Sequence, residues 1–111
     1  MYKRQHYYHE QTKKDWDGDW HRDEGEVHVR VALEDDDCLE IVPASHLRPS
    51  TPEELAIQKG ADRASGAMPN AQRVVLQAGD LCVFEAATIH RAVYRCAPIR
   101  RTIDAVYGGR A

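Results

Sequence analysis

The stretch "EVHVRVALE", residues 26–34, alternates apolar and polar side chains with a period of two. That period belongs to an extended strand with two unlike faces and does not fit a helix. Val27, Val29, Val31 and Leu33 share one face, and His28, Arg30, Ala32 and Glu34 share the other. If apolar side chains face the core, the valine row points inward, and His28 and Arg30 are solvated. Similar short runs recur in "QHYYHE", "CLEIV", "RVVLQ", "LCVFEA", "TIHRAVY" and "RRTIDAVY". Turn signals separate them, notably "DDD" at 35–37 and "AGD" at 78–80. Short strands at this spacing predict an all-β sandwich or barrel. One segment departs from the pattern. Thr51 is a good N-cap, Pro52 suits the first helical position, and Glu54 completes a capping box, so "PEELAIQK" reads as a short helix ending at Gly60. The loop 60–72 after it is expected to act as a lid.

Composition narrows the function classes. A chain of 111 residues reads as a single domain spanning 1–111. A net charge of −3 with 30% charged residues gives no steering toward nucleic acid or a membrane surface. No apolar run approaches the roughly 20 residues of a membrane span, and the N-terminal stretch lacks the apolar core of a signal peptide. Cys38, Cys82 and Cys96 show no C-x-x-C spacing. They read as reduced thiols in a cytoplasmic protein.

The segment "GDWHRDEGE", residues 18–26, carries the chemistry. His21 and Asp23 stand two residues apart, and in extended backbone such side chains point to one side. A surface capping pair would explain these two alone. A metal site needs a third ligand from a neighbouring strand, and His90 in "ATIHRAVYR" is the best candidate. Two histidines and a carboxylate on one face of an octahedron leave three positions open, as in the facial triad of non-haem Fe(II) oxygenases. A co-substrate such as 2-oxoglutarate fills two of them and needs a cation for its far carboxylate. The bidentate fork of arginine suits that task. In "IRRTIDAVY", Arg101 shares a face with Ile103, Ala105 and Tyr107, read as the interior, whereas Arg100 shares a face with Thr102 and Asp104, read as solvated. Arg101 is therefore the expected anchor. Arg22, which points away from the metal, can still reach a bound carboxylate, and Gln5 is expected to line the barrel beside the co-substrate. His28 and the acidic run Glu34–Asp37 read as solvated, Trp20 as packing, and His46 as structural or supporting the site.

At this point the chain resembles the phytanoyl-CoA dioxygenase family. The motifs are "WHRDEG" (20–25), "LEIVPASH" (39–46), "LQAGDLCVFEAATIHRA" (76–92) and "RRTIDAVYG" (100–108). The resemblance implies a double-stranded β-helix (jelly roll) with Fe(II) and 2-oxoglutarate. It implies His21, Asp23 and His90 as ligands and Arg101 on the co-substrate carboxylate. The implied activity is dioxygenase hydroxylation of a small-molecule or acyl substrate with O₂. Three departures stand out. Ala44 occupies a position where the family usually has glycine, as does the neighbourhood of Cys38. Ala92 stands where many members carry a serine that helps hold 2-oxoglutarate. The chain is also short for the family, without its N-terminal helical region, and reads as a fragment or a minimal member, so exposed apolar surface is expected, with a homodimer or association with the missing segment. A non-catalytic metal- or ligand-binding jelly roll is the main alternative. A cupin-type metalloenzyme without 2-oxoglutarate ranks behind it, because such sites normally use H-x-H.

Overall fold

The computed structural model describes residues 2–11, 15–60, 67–95 and 100–110. The alternating segments form β1 (Tyr2–Gln11), β3 (Val27–Ala32), β4 (Asp36–Ile41), β5 (Gln72–Leu76), β6 (Leu81–Glu85), β7 (His90–Tyr94) and β8 (Arg100–Arg110). A two-residue strand, β2 (Trp16–Asp17), is too short to show a period in sequence. The strands make two four-stranded sheets, ordered β1-β8-β3-β6 and β2-β7-β4-β5. Every strand pairing is antiparallel. Apart from the β4–β5 step, each connection crosses from one sheet to the other. This is the double-stranded β-helix, or jelly roll.

The expected orientation of β3 is reversed. His28, Arg30 and Ala32 are buried, Val27, Val29 and Val31 are half-buried, and Leu33 is exposed. Register carries the same division across the sheet. His28 lies opposite Phe84, Arg30 opposite Cys82 and Asp104, and Ala32 opposite Thr102. Arg100, Thr102 and Asp104 are all buried, where solvation was expected. The outer row carries Ile103, Leu81 and Val83, at 45%, 59% and 55% exposure; an exposed apolar face of this kind is what the expected homodimer would use. The interior rows pair their own charges, Arg30 with Asp104 and Arg100 with Asp36, so the rule that apolar faces point inward gives the wrong side. Asp36 is likewise buried rather than solvated.

The helical signals hold. Helix α1 spans Pro52–Lys59, with the Thr51 hydroxyl accepting from the Glu54 amide and the Glu54 carboxylate accepting from the Thr51 amide. Arg48 adds a bidentate contact to Glu54 at 2.7 and 3.0 Å. Hydrogen bonding from Arg48 holds this buried carboxyl down at about 2. Of the expected lid, residues 61–66 lie outside the described residues, as does Cys96. Met68, beyond them, is buried with Trp20, Val42 and Ile89, and Ile57 of α1 packs against this group. The described end of that loop is therefore anchored to core.

Ala44 sits before the 3₁₀ turn Ser45–Leu47 with φ 63°, in the left-handed region that costs an alanine about 1–2 kcal/mol. Glycine removes this strain but adds entropy to the unfolded chain. Ala44→Gly is expected to stabilise the fold by about 0.5–1 kcal/mol, read as a raised denaturant midpoint at unchanged slope.

Candidate metal centre

His21 follows Trp20, whose ring is buried beneath the Arg91 guanidinium at 4.7 Å. The chain here runs extended and meets β7 in a single bridge. The His21 amide donates to the His90 carbonyl at 3.0 Å, and the His90 amide donates back to the His21 carbonyl at 2.9 Å. Directly paired residues share a face, so the two rings converge, with centroids 4.4 Å apart. The Asp23 amide donates to the Ala86 carbonyl at 2.9 Å, which holds the carboxylate beside them. Asp23 Oδ1 lies 3.3 Å from His21 Nε2, and Oδ2 lies 3.0 Å from His90 Nε2. One donor atom from each residue falls within 4.8 Å of the other two.

Each imidazole is set for metal binding. Nδ1 of His21 meets the Asp19 carbonyl and Nδ1 of His90 meets the Thr88 carbonyl, both at 2.7 Å. A carbonyl only accepts, so each Nδ1 carries a proton and Nε2 is the nitrogen left to face a metal. Without one, Nε2 of each ring donates to Asp23. Burial opposes ionisation of Asp23, but these hydrogen bonds outweigh it and hold the carboxyl well below its usual range. The hydrogen bond to Asp23 in turn raises His21. A metal would displace the Nε2 protons, and two imidazole nitrogens with one carboxylate fit a divalent non-haem ion.

The family model for phytanoyl-CoA dioxygenase (PhyH) matches residues 1–101. The chain belongs to the phytanoyl-CoA dioxygenase family. No curated protein matched it in sequence. Among solved structures, HygX from Streptomyces hygroscopicus, crystallised with nickel and 2-oxoglutarate bound, is similar at TM-score 0.76 and 17% identity, over 96% of this chain and 56% of that one. EvdO2 from Micromonospora carbonacea var. aurantiaca, complexed with 2-oxoglutarate, is similar at 0.68 and 18%, over 97% and 53%. The non-heme alpha ketoglutarate dependent epimerase SnoN, from nogalamycin biosynthesis, is similar at 0.64 and 23%, over 91% and 46%. At these identities the likeness speaks to fold. The chain spans about half the length of these three proteins.

The other family candidates separate clearly. Arg101 is on the outer face, 46% exposed, and its Nε donates to Glu34 Oε1 at 2.6 Å. The expectation that it faces the interior is corrected by the reversed orientation of β8. Its neighbour Arg100 is 3% exposed, with Nε 2.8 Å from Asp36 Oδ2 and the guanidinium 4.8 Å over the Tyr94 ring. Nη1 and Nη2 of Arg100 have no hydrogen-bond partner. Arg22 cannot serve a co-substrate, because its donors are already used. It bonds the carbonyls of Ser45 and Ala87 at 2.7 Å, the Arg48 carbonyl at 3.2 Å, and Ser50 Oγ through Nε and Nη2. It clamps the loops behind the ligands. Gln5 pairs in register with Val106, which is opposite His28.

Sequence reasoning passed over three interior groups. Arg30 of β3 and Asp104 of β8 form a buried pair in which Arg30 Nε donates to Asp104 Oδ1 at 2.9 Å. Asp36 supports Arg100. His28, taken as solvated, is buried near the triad, and burial followed by the Arg30 charge pushes it down to about 4. Polar residues at every second position of β3 and β8 were the available signal. The exposed His46 makes no such contribution, whereas buried Ser45 accepts from the Ile89 amide at 2.8 Å. For the triad itself, Asp23→Ala is expected to lower affinity for Ni(II) or Co(II) by at least about 100-fold while the circular dichroism spectrum stays unchanged. Retained tight binding would remove Asp23 from the ligand set.

Proposed function

We propose that this chain is the core of an Fe(II)- and 2-oxoglutarate-dependent dioxygenase that acts with O₂ on a small-molecule or acyl substrate. The observation that carries the reading is a pre-formed triad of His21, Asp23 and His90 together with a buried guanidinium, Arg100, whose two terminal nitrogens are unpartnered. When bound, iron and 2-oxoglutarate supply the oxidising chemistry. The protein contributes geometry. His21 and His90 offer their Nε2 atoms, and Asp23 supplies the negative charge. Arg100 takes the role first expected of Arg101, receiving the far carboxylate in a two-point fork. Asp36 balances its charge.

Hydroxylation is the usual outcome in this family, but SnoN is by its name an epimerase, so the same set of groups supports other fates of the substrate. Ala92 lies on the inner face opposite Leu39 and offers no hydroxyl to a co-substrate. That favours a weaker 2-oxoglutarate site, and the non-catalytic reading follows if the site is lost altogether.

Anaerobic titration of the Fe(II)-loaded protein with 2-oxoglutarate tests the proposal. A weak visible metal-to-ligand band is expected. Arg100→Lys, which keeps a charge against Asp36 but loses the fork, is expected to weaken 2-oxoglutarate binding at least about tenfold, the scale of a lost charged hydrogen bond. Arg101→Ala is expected to leave it unchanged. The reverse pattern would return the role to Arg101, and iron binding without the band would favour the binding module.

A further inference from the structure

His28 is 6% exposed, and neither ring nitrogen has a hydrogen-bond partner. Such a group costs stability unless something in the working protein satisfies it. The ring cannot swing freely. It stacks on Phe84 at 4.8 Å and 19°, and it stands edge-on to His90 at 6.3 Å and 84°. Its Nδ1 is 4.0 Å from Asp23 Oδ2, too far for a hydrogen bond. Nor does it join the three donor atoms that cluster within 4.8 Å of one another. His28 is therefore neither a fourth ligand nor a prop for the third. It stands beside the triad with both nitrogens open.

The exposure of its neighbours selects its partner. Side chains of His21 and Asp23 are 46% and 38% exposed, whereas those of His90 and His28 are 6% and 7%. A substrate arrives from the open side, so the buried side is left for the co-substrate. His28 also heads the inner row His28, Arg30, Ala32, and Ala32 pairs with Thr102, two residues from Arg100. His28 therefore stands at the triad end of this inner row, and Arg100 lies beyond its other end.

We propose that His28 is a positioning residue that donates a hydrogen bond to the metal-chelating carboxylate of a bound 2-oxo acid and holds it on the buried side of Asp23. This rests on the co-substrate reading above. The test uses Ni(II), which binds without turnover, and calorimetric titration first with Ni(II) and then with 2-oxoglutarate. His28→Phe removes both nitrogens and keeps a ring against Phe84. It is expected to bind Ni(II) within about twofold of the unaltered chain and 2-oxoglutarate about tenfold or more weakly, as for loss of one hydrogen bond to a charged group. His28→Gln, which retains an N–H donor, is expected to recover part of the loss, a rescue that a merely structural role would not give. Should His28→Phe not fold, His28→Leu carries the same comparison. Equal 2-oxoglutarate affinity in a folded nitrogen-free variant overturns the proposal. So does loss of Ni(II) binding in that variant, which would make His28 a ligand. An unaltered chain that binds Ni(II) but no 2-oxoglutarate fails differently, because it removes the co-substrate reading itself.

Discussion

The reciprocal backbone bridge between His21 and His90 is the contact on which the site depends. It joins a segment with almost no sheet of its own to β7, and it puts two imidazoles on one face with no side-chain interaction needed. Behind it stands apolar packing. Trp20 and Ile89, the immediate neighbours of the two histidines, are buried together with Val42 and Met68. The Val42 amide donates to the Ile89 carbonyl at 2.9 Å, and Ser45 receives the Ile89 amide. Each ligand is thus fixed from the backbone side. A site held this way gives up little conformational entropy when an ion arrives, which is the gain of preorganisation.

Much of this was legible in sequence, and the exceptions share one cause. Seven strands, the capped helix and the His21, Asp23 and His90 set follow from period two, capping chemistry and spacing. Which face of β3 and β8 turns inward does not. A period of two divides a strand into two faces, but it does not assign either face to the interior. That assignment normally comes from hydrophobicity, and here hydrophobicity points the wrong way. Arg100 was set aside for Arg101 because Thr102 and Asp104 looked like solvent-facing company. Asp36 was placed in a solvated turn because it sits among acids. Both errors disappear once the interior is allowed to be polar. The valines of β3 then occupy the outer row, half-buried at best, with Ile103, Leu81 and Val83 open beside them.

The buried charges obey an accounting of their own. Arg30 faces Asp104 at 2.9 Å and Arg100 faces Asp36 at 2.8 Å, so neither guanidinium is left without a counter-charge in a medium where an isolated ion is untenable. Buried pairs of this sort add little stability over well-packed apolar residues. Their retention is better explained by what they leave available. Arg30 keeps Nη1 unpartnered, and Arg100 keeps both terminal nitrogens unpartnered.

Arg22 makes the contrast. It lies between His21 and Asp23 in sequence, yet its guanidinium is spent on Ser45, Arg48, Ser50 and Ala87. Saturated donors hold structure together, and a guanidinium so engaged has nothing to offer an incoming carboxylate. Buried donors with a counter-charge but without a matching acceptor hold a place for a ligand, because the cost of leaving them open is recovered only on binding. By that criterion the interior divides without reference to sequence distance from the metal. Arg22 is scaffold, Arg101 with Glu34 belongs to the surface, and Arg100 and His28 are buried groups whose donors stay open.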